Sequence, residues 1–283
     1  RLQLIETLQQ LPAPWIENPQ PAISDYLHRT HQKLIVLDDD PTGSQLVHSV
    51  PILTEWSVES LVRELNGEAH AIYLLTNSRS LPPAQADQLS AQIARNLNQA
   101  IAQTTAKVIV VSRGDSTLRG HFPNEVQALA EHLSLPFDAW IVLPALPEAG
   151  RFTINDIHYV AQGDWLTPAG ETPYAQDPDF GYHSSNLREW VVERSQGKIP
   201  FEQVHSISLE DLRIGGPEQV RQRLLALEKG SVCVVNAASR RDVDVFVLGL
   251  LQAEAAGKNY LFRSGPTFVM ARIGLAPYPL LKT

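Results

Sequence analysis

The segment KLIVLDDDPTGS, residues 33–44, decides the fold class, because an apolar run ends directly in three adjacent aspartates. The apolar residues from Leu34 to Leu37 are typical of a strand that is buried on both faces. Three neighbouring carboxylates repel one another and contribute nothing to such a strand, so their presence indicates a chemical use. The Pro-Thr-Gly sequence that follows predicts a turn at the end of the strand.

Further apolar runs alternate with amphipathic helical patterns along the chain. The other predicted strands are AIYLLT (71–76), KVIVVS (107–112), AWIVLPA (139–145), SVCVVNA (231–237) and NYLF (259–262). The predicted helices between them are residues 57–65, 82–103, 122–133, 217–229 and 240–257. Short apolar strands separated by helices predict a sheet that is covered on both faces. We therefore expect an α/β fold with a mostly parallel, Rossmann-like sheet.

Two parts of the chain depart from this alternation. Residues 1–30 predict a helical appendage with a proline-rich linker, and residues 146–215 predict an irregular insertion. We expect residues 31–275 to form one α/β domain and residues 276–283 to begin a linker. The segment TPYAQDPDFGY (172–182) has the polarity of an exposed flap, so we expect the insertion to form either a lid or a homodimer contact.

Composition and charge exclude several classes of protein. The 283 residues are 43% hydrophobic and 19% charged, which is typical of a globular chain. No apolar run reaches about 18 residues, so we expect no membrane span. The 31 acidic against 23 basic residues, a net charge of −8, argue against a general nucleic-acid binder. The single cysteine, Cys233, excludes internal disulfides and fits a reducing cytoplasm.

Polar side chains follow four successive predicted strands. The carboxyl ends of parallel strands meet at one edge of a sheet, where α/β proteins bind their ligands. The polar residues at these positions include Asp38, Asp39, Asp40, Thr42, Ser78, Arg79, Asp115, Ser116, Thr117, Arg119 and Arg151. Arginines can hold a carboxylate or phosphate, and aspartates can accept hydrogen bonds from hydroxyls, take a proton or bind Mg²⁺. The set favours a small polyhydroxy acid, although each arginine taken singly is better explained as a surface or ion-pair residue.

The motifs DDDPTGS (38–44), TNSRS (76–80), SRGDSTLRGH (112–121), PALPEAGR (144–151) and SSNLREW (184–190) resemble those of the four-carbon acid sugar kinase family. The resemblance is to the N-terminal, sugar-acid-binding domain of that family. It implies phosphorylation of a tetronate or 3-oxo-tetronate with ATP and Mg²⁺, with the nucleotide bound mainly by a C-terminal domain. No glycine-rich phosphate loop follows a strand in the last 50 residues, so we expect a fragment, or a half with a separate partner, that is inactive alone.

The resemblance also assigns residues to a sugar-acid site. It implies Asp39 or Asp40 as the base that takes the proton of the substrate hydroxyl, while Asp38 is expected to complete the strand end. The substrate-binding positions that it implies are Thr42, Gly43, Ser78, Arg79, Asp115, Ser116, Thr117, Arg119, Gly120, Gly150, Arg151, His158, Ser185 and Asn186. The arginines would hold the carboxylate of the substrate, and Asp115 and Ser116 would orient its hydroxyls. His158 is explained equally well as a structural histidine.

Two other functions fit parts of the same pattern. LIVLDDDPT (34–42) also matches the Asp-x-Asp-x-Thr pattern of phosphatases with an aspartyl nucleophile. In that chemistry Asp38 would attack phosphorus, and Asp40 would act as acid and base around Mg²⁺. Such an enzyme also needs a lysine and a later acidic pair after a strand, for which the sequence offers no convincing candidates. The other alternative is a non-catalytic module that binds a sugar acid.

Overall fold

The computed structural model describes residues 2–41, 47, 48 and 50–275. The strands in this part of the chain are β1 (Leu2–Gln3), β2 (Lys33–Asp38), β3 (Ile52–Leu53), β4 (Ala71–Leu75), β5 (Val108–Arg113), β6 (Ala139–Leu143), β7 (Arg151–Ile154), β8 (Ile157–Gln162), β9 (Trp165–Pro168), β10 (Val204–Ile207), β11 (Ser231–Val235) and β12 (Tyr260–Ser264). Among the described residues, eight strands form a parallel sheet in the order β10-β11-β6-β12-β5-β2-β4-β3. The predicted α/β fold with a parallel sheet is therefore confirmed.

Helices cover both faces of this sheet. They are α1 (Leu4–Gln10), α2 (Gln20–Thr30), α3 (Val58–Leu65), α4 (Pro83–Ile101), α5 (Asn124–His132), α6 (Leu187–Arg194), α7 (Leu209–Arg213), α8 (Gly216–Leu225), α9 (Arg240–Ala255) and α10 (Pro266–Arg272). Helices α3 to α6 supply one hydrophobic core, and α2 with α7 to α10 supply the other. Within the described residues, no helix combines the length and the apolar character needed to cross a membrane.

Strand β2 lies at the centre of the charged edge, between β4 and β5. All six of its residues are buried, and its apolar side chains alternate between the two cores. The register pairs its last residue, Asp38, with Leu75 of β4 and with Arg113 of β5. The carboxyl ends of these three strands therefore lie level with one another.

The predicted irregular insertion is more regular than its sequence suggested. Strands β7, β8 and β9 form an antiparallel sheet that β1 completes at one edge, in the order β1-β9-β8-β7. Asn155 and Asp156 connect β7 to β8 with φ values of 52° and 64°, as a two-residue hairpin turn requires. Gly163 and Asp164 make the second connection. In residues 151–168 the turn residues therefore mark tight hairpins, whereas residues 169–186 contain short 3₁₀ turns.

The N-terminal segment packs against the α/β domain. Leu2 of β1 pairs with Leu166 of β9. Helix α2 packs on α9, and Gln20 donates a hydrogen bond of 2.6 Å to Asp244. The segment predicted to be an appendage thus contributes a strand to the small sheet and a helix to one face of the large one.

We expect Asp242→Ala to destabilise the fold strongly, by about 3–5 kcal/mol, because it leaves a buried arginine without its partner. Arg213 Nε and Nη2 each lie 2.8 Å from one carboxylate oxygen of Asp242, and the two side chains are 5% and 1% exposed. The measurement is the free energy of unfolding in urea. The control is Arg221→Ala, which breaks the exposed pair with Glu218 and should cost about 0–1 kcal/mol. Equal losses in the two variants would contradict the prediction.

Candidate functional site

Charged side chains gather at the carboxyl edge of the central strands. Asp38 ends β2, Arg113 ends β5, and Arg79 lies in a 3₁₀ turn (Ser78–Ser80) that follows β4. Arg263 comes from β12, which pairs with β5. Because these strands are parallel and in register, the four side chains start from one edge of the sheet, where the sequence predicted a site.

Arg79 binds two of the three consecutive aspartates. Its Nη2 lies 2.6 Å from Oδ1 of Asp39 and its Nε lies 3.2 Å from Oδ2, so that the contact has two points. Its Nη1 lies 3.0 Å from Oδ2 of Asp40. The side chain of Asp39 is 4% exposed and that of Asp40 is 26% exposed. Of these two aspartates, Asp40 is therefore the one that a ligand can reach more readily from solvent.

Asp38 is fully buried behind this pair. Its Oδ1 lies 2.9 Å from Nη1 of Arg113. Burial raises the pKa of Asp38 to about 6, against the opposing effect of the Arg113 charge and with a further contribution from Asp39. A buried carboxylate paired with an arginine cannot approach a phosphorus atom from solvent. The structure therefore does not support Asp38 as the nucleophile of a phosphatase.

The loop after β5 surrounds the carboxylate of Asp115. Arg119 Nε lies 2.6 Å from Oδ2 of Asp115, and the hydroxyl of Thr117 donates to the same oxygen. Burial would raise the pKa of Asp115, but the hydrogen bonds from Thr117 and Arg119 and the charges of Arg119 and Arg79 hold it below its usual value. Asp115 is therefore an ionised hydrogen-bond acceptor at neutral pH.

Arg79 links the two acidic groups. Its guanidinium interacts electrostatically with Asp115 as well as with Asp39 and Asp40. The residues predicted from two separate motifs, Asp39 to Asp40 and Asp115 to Arg119, thus lie in one cluster. This convergence could not be measured in the sequence, in which more than 70 positions separate Asp40 from Asp115.

The segment 172–182, predicted to be an exposed flap, forms a wall of this cluster. Tyr182 is buried, and its hydroxyl donates to the backbone oxygen of Thr117 at 2.8 Å. Asp177 Oδ2 lies 3.7 Å from Nη1 of Arg119. The aromatic side chain packs inward and anchors the segment, while positions 173, 176, 178, 179 and 181 are exposed; that the segment forms a lid or a dimer contact stays a prediction.

Arg263 lies beneath the same loop and was missed by the sequence analysis. Its Nη2 donates to the backbone oxygen of Arg119 at 2.8 Å. A Cβ on Gly120, whose φ is +119°, would lie 3.1 Å from Oδ2 of Asp39 and 3.3 Å from Nη2 of Arg263. A Cβ on Gly114 would come within 1.7 Å of the Arg263 guanidinium. The two glycines therefore let the loop, Asp39 and Arg263 approach one another closely.

Glu125, in the first turn of α5, is the second residue that the sequence analysis missed. It is 7% exposed and forms a side-chain hydrogen bond with Ser78, which is 1% exposed. Burial, and next the nearby charge of Asp39, raise the pKa of Glu125 to about 7. An acid in the first turn of a helix is commonplace, so its sequence position carried no signal.

His158, predicted as a ligand contact, supports the loop from inside. It is fully buried, with Nε2 2.7 Å from the backbone oxygen of Ser116 and Nδ1 2.9 Å from the hydroxyl oxygen of Thr153. Burial lowers its pKa to about 4, which makes it neutral at physiological pH. Both ring nitrogens are used within the protein, so the structural interpretation of His158 is the correct one.

The remaining predicted positions are four residues with local roles and two residues that the structure does not describe. Ser185 and Asn186 make local contacts: Ser185 Oγ accepts from the backbone N–H of Gly170 at 2.9 Å, and Asn186 caps α6. Gly150 turns the chain into β7 with a φ of +72°, and the Arg151 guanidinium donates to the backbone oxygen of Ala149. Thr42 and Gly43 lie outside the described residues.

A cleft of about 610 Å³ opens beside Arg79. Its walls include Arg79, Leu81, His121, Phe180 and Arg194. Across the part of the chain that the structure describes, no three His, Cys, Asp or Glu side chains are arranged to hold a metal ion. Both oxygens of Asp39 are bound by Arg79.

Comparison with solved structures finds the same fold in longer proteins. A Bordetella bronchiseptica protein, described as a domain of unknown function (DUF1537) and crystallised as a domain-swapped dimer with bound citrate, aligns with a TM-score of 0.63 and 22% identity over 85% of this chain and 55% of its own. A Haemophilus influenzae protein of the DUF1537 family gives a TM-score of 0.62 and 23% identity over 86% of this chain and 57% of its own. A Salmonella typhimurium LT2 protein, named provisionally as a tRNA synthase, gives 0.59 and 19% over 85% and 55%.

These likenesses, at identities of 19–23%, show the fold alone. This chain spans 55–57% of the length of those structures. No curated protein matches the chain significantly. A family described as the sugar-binding N-terminal domain matches residues 34–272. Because this match takes in most of the sequence, the chain belongs to the family of sugar-binding N-terminal domains, and its resemblance to the N-terminal domain of the four-carbon acid sugar kinases is confirmed.

Proposed function

We propose that this domain binds a four-carbon sugar acid and is the substrate-binding part of an ATP-dependent sugar-acid kinase. The observation that carries this proposal is the single cluster of Asp39, Asp40 and Arg79 with Asp115 and Arg119 beside an open cleft. A tetronate or 3-oxo-tetronate offers hydroxyls that can donate to the aspartates and one carboxylate that can accept from an arginine. Sugar binding is also the property that describes the family.

The ion pairs within the cluster leave it capable of binding a polyol. A carboxylate has about four acceptor positions, so Asp40 and Asp115 can still accept from hydroxyls while each is held by an arginine. Arg79 has five N–H donors, of which Asp39 and Asp40 engage three. The same arginine lines the cleft, where it can meet the carboxylate of the ligand. Because the protein already fixes these groups, a ligand does not have to order them on binding.

The Bordetella relative supports an anionic hydroxy acid as the ligand, since that protein was crystallised with citrate. Citrate carries carboxylates and a hydroxyl, the same groups that a sugar acid presents. The relative is also a domain-swapped dimer, which supports the expectation that this chain forms a homodimer.

We assign the role of base to Asp40. Its side chain is 26% exposed, against 4% for that of Asp39, so a substrate hydroxyl can reach it more readily. Asp40 would accept the proton of the attacking hydroxyl, while Asp115 orients a second hydroxyl. ATP with Mg²⁺ supplies the phosphoryl group in such a kinase. In this proposal the nucleotide and its metal would be held mainly by a second domain, since no cluster of three metal-ligating side chains is found among the described residues.

Two alternatives are separated from this proposal by their chemistry. A phosphatase with Asp38 as its nucleophile is disfavoured by the burial of that residue behind Arg113. A module that binds a sugar acid without catalysis shares the proposed site and differs only in the absence of phosphoryl transfer. Binding and phosphoryl transfer therefore have to be measured separately.

Asp115→Asn should weaken the binding of erythronate or threonate at least tenfold. Removing the charge of Asp115 weakens its hydrogen bonds to ligand hydroxyls, and a tenfold change corresponds to about 1.4 kcal/mol. Titration calorimetry with each acid measures the dissociation constant. The control is Asp164→Asn, the same change at an exposed turn position, which should leave binding unaltered. Unchanged affinity in Asp115→Asn, with the fold intact, would rule out this residue as a ligand contact.

Asp40→Asn should abolish phosphoryl transfer while it leaves sugar-acid affinity within about threefold. Loss of a general base lowers rates by roughly 10²–10⁴-fold, whereas an amide oxygen can still accept a hydrogen bond from the substrate hydroxyl. ATP consumption is measured with this domain together with the nucleotide-binding domain that we propose as its partner. Sugar-acid binding without turnover in the unaltered protein would favour the non-catalytic module. Release of phosphate from phosphate esters with Mg²⁺ would favour the phosphatase.

Glu125→Gln should stabilise the domain above pH 7 and leave its stability unchanged near pH 4. Glu125 has a folded-state pKa of about 7 against an ordinary value of 4.5, so the folded state holds this proton more tightly than the unfolded state does. Ionisation of Glu125 costs the folded state no stability below pH 4.5. The cost grows as pH rises to 7 and is then constant, at up to about 3 kcal/mol. Urea unfolding of both proteins from pH 4 to 8 measures the difference. A difference that does not vary with pH would show that Glu125 titrates normally.

A further inference from the structure

Two arginines, Arg194 and Arg263, donate hydrogen bonds to neighbouring backbone carbonyl groups of the loop after β5. Arg194, the last residue of α6, donates through Nη2 to the backbone oxygen of Gly120 at 3.1 Å and through Nη1 to that of Gly181 at 3.0 Å. Arg263 donates to the backbone oxygen of Arg119 from the other side. Arg194 is therefore fixed in place by neutral partners.

Two arginines of this region, Arg194 and Arg263, have no salt bridge among the described residues; Arg263 is buried, whereas Arg194 lines the cleft. Arg79, Arg113 and Arg119 each form a salt bridge with an aspartate. Arg194 forms none with any residue that the structure describes, and within that part of the chain its buried Nε has no hydrogen-bond partner. A fixed guanidinium without a carboxylate partner in the wall of a cleft is suited to an anion from solution.

The other groups of the cleft agree with an anion inside it. Arg79 lines the cleft together with Arg194. Two carboxylates also belong to the walls, but Asp179 is exposed, and Glu193 accepts the backbone N–H groups of His183 and Ser184 at 2.8 Å each. The charge of Glu193 acts on Arg194, but its oxygens accept from backbone N–H groups, and no carboxylate of the described residues is hydrogen-bonded to Arg194.

The size of the cleft, and the positions of Arg79 and Arg194 on different elements of the fold, indicate which kind of anion would bind. Its volume of about 610 Å³ lies within the range of roughly 300–1,000 Å³ found for pockets that bind ligands larger than a four-carbon acid. Arg79 comes from the turn after β4, and Arg194 comes from the end of α6. A tetrahedral phosphate offers acceptors in several directions and close to two negative charges, whereas a carboxylate offers acceptors in one plane and a single charge.

We propose that the cleft is a phosphate subsite, in which Arg194 binds the phosphate group of a phosphate monoester and Arg79 lies between this group and the sugar-acid site. The identity of that ester as the phosphorylated sugar acid rests on the proposed function, because the sugar acid would lie at Asp40 and Asp115 and its phosphate would extend past Arg79. The anion-binding property of Arg194 is independent of that identity. In the proposed site, Arg194 is the residue that would distinguish the phosphorylated sugar acid from the free one.

The test measures inorganic phosphate and threonate binding separately by titration calorimetry. Arg194→Gln should weaken phosphate binding at least tenfold and change threonate affinity less than threefold, while Asp115→Asn should do the reverse. Arg95→Gln, the same change at an exposed position of α4, serves as the control and should alter neither. Arg194→Lys keeps the charge without the planar group and should give intermediate phosphate binding.

Hydrogen exchange of the unaltered protein gives a readout that does not depend on the folding of a variant. Phosphate should slow exchange at residues 119–124 and 180–196, and protection confined to other segments would overturn the proposal. Unchanged phosphate affinity in Arg194→Gln, or no phosphate binding by the unaltered protein at millimolar concentrations, would also overturn it. Phosphate binding by the unaltered protein without any binding of threonate would contradict the proposed function and leave the phosphate subsite standing.

Discussion

Charge compensation across neighbouring strands is the constraint on which this site depends. Asp38 and Asp39 are almost fully buried at the end of β2, where an unpaired carboxylate would be strongly unfavourable. Arg113, at the end of β5, faces Asp38, and Arg79, after β4, holds Asp39. These contacts exist because β2 lies between β4 and β5 in the sheet. The strand order is therefore as necessary to the acidic cluster as the aspartates themselves.

Because of these ion pairs, the arginines of the site have a different role from the one that the sequence predicted. Arg79 and Arg119 were expected to hold the substrate carboxylate, yet each already holds an aspartate. Their first effect is to fix the carboxylates as oriented acceptors for hydroxyl groups. Arg194, which forms no salt bridge among the described residues, lies in the adjoining cleft. Acceptors for a polyol and a donor group for an anion are thus placed side by side.

The sequence was sufficient to predict features that depend on local pattern. The apolar runs located β2, β4, β5 and β6, and the rule for parallel sheets placed Asp40, Asp115 and Arg119 at one edge. It could not predict that β12, the last strand, enters the sheet between β5 and β6, because strand order depends on long-range packing. Arg263 was missed for that reason. Glu125 was missed, and the sequence left the role of His158 open, because burial, rather than residue type or spacing, determines their pKa and their partners.

The loop after β5 shows how the site acquires its polarity. The backbone oxygens of Ser116, Thr117, Arg119 and Gly120 each accept a hydrogen bond from a side chain, supplied by His158, Tyr182, Arg263 and Arg194 respectively. These four donors come from β8, from the wall segment 172–182, from β12 and from α6. Because the carbonyl groups are turned toward the protein, their negative ends do not face an incoming anion. What the loop presents to a ligand is therefore set by its side chains, with an ionised Asp115 beside the Arg119 guanidinium, and the small sheet matters to function because it supplies one of the donors that hold this arrangement.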